Sequence, residues 1–248
     1  EYSNQLRIPE RHPYVGELVY TAFSGSHQDA INKGMKAYRK ANKELWEVPY
    51  LPIDPADVGR TYEAIIRINS QSGKGGIAYI LQSDYGLNLP RSLQVEFSQD
   101  IQAITDAEGK ELPSRRIYER FLEAYVDQPG GRLEFVDHHT RTDAQNPRRR
   151  IVDAVIRDGG VEIAIVGNGT GPIDGFVDAL SRHIGVGLSV LDYSEHSLQR
   201  GSDASAICYM EVEYEGGKLF GAGIDTNIVT ASLKAVVSAA NRILAKRN

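Results

Sequence analysis

One cysteine, Cys208, in 248 residues leaves no intrachain disulfide framework and no thiolate metal cluster. Basic residues are also scarce: 28 Lys and Arg stand against 33 Asp and Glu. The resulting net charge of −5 speaks against nucleic acid, because phosphate binding wants a basic face. No uninterrupted apolar run approaches bilayer length and no charged-then-apolar leader opens the sequence, so no membrane partner is expected and the cytoplasm is. An initiator Met is missing too. "EYSNQLRIPERHPYVGELVY" opens without an element of its own and reads as a cut through a larger protein.

What is present is ample core material, 41% hydrophobic residues, enough for two small domains or one large one. From Ser26 the spacing of Ala30, Ile31, Met35 and Tyr38 predicts a helix. The three prolines of "WEVPYLPIDPADVG" then forbid a long helix and favour an extended connection. Tyr62 to Ile68 reads as a strand. Helices are predicted from the glycines of "SGKGG" to Gly86, over Arg91 to Ala107, and over Ser114 to Tyr125 with Ser114 as its N-cap. "VDQPGGR" marks a domain boundary.

Beyond Gly131 the texture changes to short strands and turns. Strands are predicted at Leu133–Thr140, Ile151–Arg157 and Val161–Val166, then a helix at Pro172–Ile184. Asp158-Gly159-Gly160 signals a hairpin between the second and third strands. The order then recurs, with strands at Leu188–His196, Ala204–Tyr214 and Lys218–Ile224 and a helix at Ile228–Ala245. Gly167 falls on Gly223, Gly160 on Gly216, and Val177–Leu180 on Leu233–Val236, all at an offset of 56 residues. The pattern is one βββα unit written twice. Two such units are expected to pack about a pseudo-twofold axis, since one helix cannot cover both faces of its sheet. The fold class is therefore α+β.

Two glycine motifs invite nucleotide readings and fail them. "SQSGKGG" lacks the first glycine of a P-loop and has Gly75 where the magnesium-binding Ser or Thr belongs. In "VGNGTGPIDGF" the third glycine comes too early for a dinucleotide fingerprint. The proline after Gly171 fits the first position of a helix, whose free N–H groups suit a small carboxylate. The alternative is that the glycines serve tight turning alone; the residues leave both open. His138 and His139 are adjacent on a strand and point to opposite faces, so they form no metal pair. Arg148-Arg149-Arg150 reads as a solvated run. Tyr193 and His196 either line a pocket or finish the core.

"FSGSHQDAINKG", "VPYLPIDPADVGRTYEAIIRINSQSGKGG" and the terminal "TASLKAVVSAANR" together resemble the alpha-isopropylmalate synthase family, over essentially the whole chain. That family condenses acetyl-CoA with 2-oxoisovalerate in leucine biosynthesis. The resemblance implies a C-terminal part: the tail of a catalytic TIM barrel at 1–16, linker subdomains at 17–64 and 65–129, and a leucine-binding, dimerising regulatory domain at 130–248. The barrel, with its divalent metal on an Asp and an H-x-H pair, is expected to lie upstream, and the sequence has no H-x-H. The resemblance assigns His27 and Tyr50 as auxiliaries to the active site of the partner subunit's barrel. It assigns Gly169, Gly171, Ile173 and Asp174 to the leucine-binding turn and Val190, Tyr193, Ser197, Ala204 and Ile224 to an apolar wall. It implies a homodimer, leucine as effector, no cofactor in this part, and no condensation by it alone. The alternatives are a structural oligomerisation module and the regulatory part of a citramalate or homocitrate synthase.

Overall fold

The computed structural model describes residues 8–9, 11–16, 19, 20, 22, 24–41, 45–59, 74–108, 112–199, 201 and 204–247. The strand expected at Tyr62–Ile68 lies outside them. The chain divides into two compact units, Glu1–Leu87 with Arg91–Ile117, and Asn88–Pro90 with Tyr118–Asn248.

The first unit is helical. Helix α1 (Gly25–Ala41) turns Ile31 into a small core with Tyr20, Val48 and Leu51, while Met35, Tyr38 and Trp46 pack around it. The proline-rich segment that follows holds only a 3-10 turn, Pro55–Val58. Asp54 caps that turn by accepting the Ala56 N–H at 2.9 Å, and Gly59 ends it in the left-handed region. Helices α2 (Lys74–Tyr85) and α3 (Arg91–Glu108) pack together. The buried stripe of α3 steps by fours, Leu93, Phe97, Ile101 and Thr105, as a helix facing a core must. Helix α4 (Ser114–Tyr125), whose residues from Tyr118 on belong to the second unit, starts one residue earlier than a cap at Ser114 implied. The Pro113 carbonyl accepts the Arg116 and Ile117 N–H groups, so Ser114 is the first helical residue and Pro113 precedes the turn.

The second unit carries the repeat. Strands β1 (Leu133–Thr142), β2 (Arg150–Asp158) and β3 (Val161–Gly169) form an antiparallel sheet, followed by α5 (Pro172–Ile184). Strands β4 (Ser189–Ser197), β5 (Ala206–Tyr214) and β6 (Gly217–Asp225) form the second sheet, followed by α6 (Ile228–Arg247). Helix α5 packs on β2 and β3, α6 on β5, β6 and β1, and the helices touch each other. One apolar core, containing Phe176, Leu180, Met210 and Val236, runs through both repeats.

The duplication extends to single atoms. A Cβ on Gly167 would lie 1.9 Å from the Gly175 carbonyl oxygen, and one on Gly223 would lie 2.2 Å from the Ala231 oxygen, its equivalent 56 residues on. Both glycines exist because a helix backbone lies directly on the strand. The hairpins match too, with positive φ at Gly159 and Gly160 and again at Glu215 and Gly216, the mirror-type turn that suits strand twist. The first strand of each sheet also carries a bulge, between Phe135 and Asp137 in β1 and between Val190 and Asp192 in β4.

Helix α6 is long and apolar enough by composition to cross a bilayer, its most apolar 18 residues having a mean hydropathy of 1.3, although Lys234, Asn241 and Arg242 interrupt any continuous apolar run. Its apolarity has another use: Ala231, Ala235, Ala239 and Ile243 are buried on the sheet.

Candidate functional site

The two repeats treat the start of their helices differently. In the second, Asn227 caps α6, its Oδ1 accepting the Val229 and Thr230 N–H groups at 2.9 and 3.2 Å. In the first, the equivalent cap is Gly171, which has no side chain to accept anything. Pro172 has no N–H, and among the described residues nothing accepts from the amides of Ile173 and Asp174. The helix therefore presents two free N–H groups and the positive end of its dipole.

The turn leading to this helix is held rigidly. Asp178 accepts the Asn168 N–H at 3.0 Å and an Arg182 N–H at 2.7 Å, and Arg182 also donates to the Val166 carbonyl at 2.7 Å. The Arg182 hydrogen bond, with that from Asn168, holds the Asp178 carboxyl below the usual range. Arg149, exposed as the solvated run was expected to be, also donates to Asn168 Oδ1 and its carbonyl at 2.7 and 3.0 Å and so supports the turn. Asp174 spends Oδ2 on its own turn, accepting from the Thr170 N–H at 2.7 Å and the Thr170 hydroxyl at 3.1 Å. Gly169 is demanded by packing, since its Cβ would meet the Gly175 nitrogen at 2.3 Å. Gly171 is not: its φ of −156° is open to any residue, and a Cβ there would meet nothing within 4 Å.

Beside this helix start lies a cavity of about 590 Å³. The α5 side contributes Gly171, Ile173, Asp174 and Val177. The opposite wall is β4 and the residue before it: Leu188, Val190, Tyr193 and Glu195. Ile228, Val229 and Ser232 of α6 close it. The β4 bulge shapes this wall. Residues three apart on a regular strand face opposite ways, but the bulge lets Val190 pair with Val212 and Tyr193 with Met210, two residues apart on β5. Both side chains thereby share one face, and Glu195, paired with Cys208, continues it. Behind the cavity, burial pushes the Cys208 thiol up to about 11, so it stays protonated and packs as a small apolar group.

Of the residues assigned by resemblance, Gly171, Ile173, Asp174, Val190 and Tyr193 come together here, with Gly169 behind them. Ser197 shares the face of Tyr193 but, like Ala204, is not among the lining residues. Ile224 lines a different cavity, of about 670 Å³, near Gln128 and Lys234. Sequence reasoning missed Val177, Leu188, Glu195, Ile228, Val229 and Ser232. The 56-residue offset was a usable signal for two of these, since it carries Pro172-Ile173 onto Ile228-Val229. His196 faces away from this wall: its Nε2 accepts the Asn88 N–H at 3.2 Å and lies 3.2 Å from the buried Tyr209 hydroxyl.

In the first unit His27 and Tyr50 meet, ring centroids 4.2 Å apart, and both are exposed. Tyr50 holds a φ of +64°, a left-handed conformation costly for an aromatic residue. Among the described residues no group of three His, Cys, Asp or Glu side chains forms a metal seat.

A duplicated βββα domain with a small-molecule-sized cavity at one uncapped helix start, joined to a helical unit, defines the class. Residues 17–82 match the family model "Alpha-isopropylmalate synthase, post-catalytic domain-like", and residues 111–244 match "LeuA allosteric (dimerisation) domain". The 2-isopropylmalate synthase of Mesorhizobium japonicum is 78% identical over 247 residues, covering 100% of this chain and 44% of that protein. Those of Brucella suis and Rhodospirillum rubrum are 75% and 53% identical, covering 99% and 98% of this chain and 44% of each relative. The chain thus spans less than half the length of these relatives. It belongs to the 2-isopropylmalate synthase family and carries that family's allosteric (dimerisation) domain.

Proposed function

We propose that this chain is the effector-sensing and dimerising part of a cytoplasmic 2-isopropylmalate synthase. It binds leucine at the start of α5 and relays feedback inhibition to a barrel that condenses acetyl-CoA with 2-oxoisovalerate on a divalent metal. The observation that carries this reading is one cavity that joins an uncapped helix start to aliphatic walls from Ile173, Val190 and Val229. A leucine carboxylate suits the free N–H groups of Ile173 and Asp174. Its isobutyl group suits the apolar walls, where one methylene changes affinity by about 1–3 kcal/mol. Inhibition further requires that leucine bind two states of the whole enzyme unequally. His27 and Tyr50 serve the partner subunit's active site in that assembly, and this chain alone does not release CoA thiol.

Calorimetric titration with leucine, isoleucine and valine tests the reading. Saturable binding with leucine tightest is expected. Isoleucine tightest moves the parent to citramalate synthase, and no binding makes the turn structural, a role that packing already gives Gly167 and Gly169.

A further inference from the structure

Two carboxylates line the α5 cavity, and they are not equivalent. Asp174 sits in the first turn of α5 with Oδ2 already shared between the Thr170 N–H and hydroxyl. Glu195 stands on the opposite wall, on the strand face that the β4 bulge turns toward the cavity. Among the described residues it has no hydrogen-bond or ion-pair partner. Its neighbours are the apolar Val190 and Tyr193 and the buried Ser232, whose hydroxyl is committed to the Ile228 carbonyl at 3.0 Å. Glu195 is exposed to solvent, and no cation is found among the described residues that line the cavity. An unpaired carboxylate facing an uncapped helix start gives the cavity a positive end and a negative end. A zwitterion fits such a pair, whereas a simple carboxylic acid satisfies only one end.

The geometry points to Glu195 as the acceptor of the effector's ammonium group, and so as the residue that makes the site require a free amine. The inference rests on the effector reading above and deepens it. Glu195 discriminates an amino acid from the acid of the same carbon skeleton, while the α5 start and the aliphatic walls bind both. An ion-assisted hydrogen bond of this kind is worth about tenfold or more in affinity.

The experiment is calorimetric titration of the full 248-residue chain and its Glu195→Gln variant, each with leucine and with 4-methylpentanoate, which is leucine without its amine. Expected is a loss of about tenfold or more for leucine in the variant, with 4-methylpentanoate bound equally by both proteins. That unchanged affinity also certifies the variant's fold. Asp174→Asn, which frees the Thr170 turn, is expected to weaken both ligands together. Leucine bound equally by wild type and Glu195→Gln overturns the role of Glu195 and leaves the effector reading standing. So does a variant that loses both ligands in parallel. Wild-type protein that binds neither ligand overturns the effector reading and this inference with it.

Discussion

At Gly171 the backbone is extended and nothing of the chain occupies the space a side chain would take. Neither strain nor packing therefore requires glycine there, whereas both neighbouring glycines of the motif are required by the helix lying on them. Gly171→Asn installs the cap that Asn227 supplies in the other repeat. It is expected to raise stability by a few tenths of a kcal/mol while closing the N–H groups to an effector. Gly167→Ala is expected to do the reverse kind of damage, costing about 1–3 kcal/mol through a methyl pressed on the Gly175 carbonyl. Urea unfolding of the two variants beside a leucine titration separates the cases, and a destabilised Gly171→Asn that still binds leucine defeats the argument. Three glycines on alternate positions are legible in the sequence. Which one is spare is not, because that depends on how closely α5 approaches β3.

Elements carried most of what could be read in advance. The αL-prone Asp-Gly-Gly turn, the alternating strands and the glycine offset placed both βββα units, and α5 and the end of β5 fall where the periodicity put them. The cavity wall was legible only in pieces, since Val190 and Tyr193 share a face through a bulge at Leu191 that no alternation pattern announces. The hairpin between β2 and β3 shows the same limit. Arg132 donates to both Asp158 oxygens at 2.6 and 2.8 Å, and His183 of α5 lies 2.8 Å from Oδ2, a junction of residues distant in sequence. The Arg132 hydrogen bonds, helped by His183 and opposed by desolvation, hold the Asp158 carboxyl at about 2. A folded-state value below the unfolded one adds stability that is complete above about pH 4 and is lost as the pH falls through about 2. Wild-type urea midpoints should fall between about pH 4.5 and pH 2.5. Asp158→Asn should cost about 1–3 kcal/mol at neutral pH and show a flatter acid limb. An equally steep limb in the variant would assign the acid sensitivity to other carboxylates.

On the scale of the whole molecule, the chain divides into two compact units, and every described residue lining the α5 cavity belongs to the second. A ligand that binds only folded protein stabilises what it binds, by about 2.7 kcal/mol at a hundredfold excess over Kd. Leucine should therefore raise the melting temperature of the second unit alone. The sequence provides a reporter for the other: its one tryptophan, Trp46, lies in the first unit. There its indole donates to the Leu51 carbonyl at 2.8 Å and its ring meets Tyr38 edge-on at 5.0 Å. Melting of the first unit breaks both contacts and changes the emission. Scanning calorimetry should show two transitions, of which saturating leucine moves one, while the midpoint read by Trp46 fluorescence stays in place. If the fluorescence midpoint moves by as much as the calorimetric one, the two units melt as a single cooperative body. The effector's stabilisation then already reaches the helical unit, which in the full-length relatives would put it on the path from the sensing domain toward the barrel.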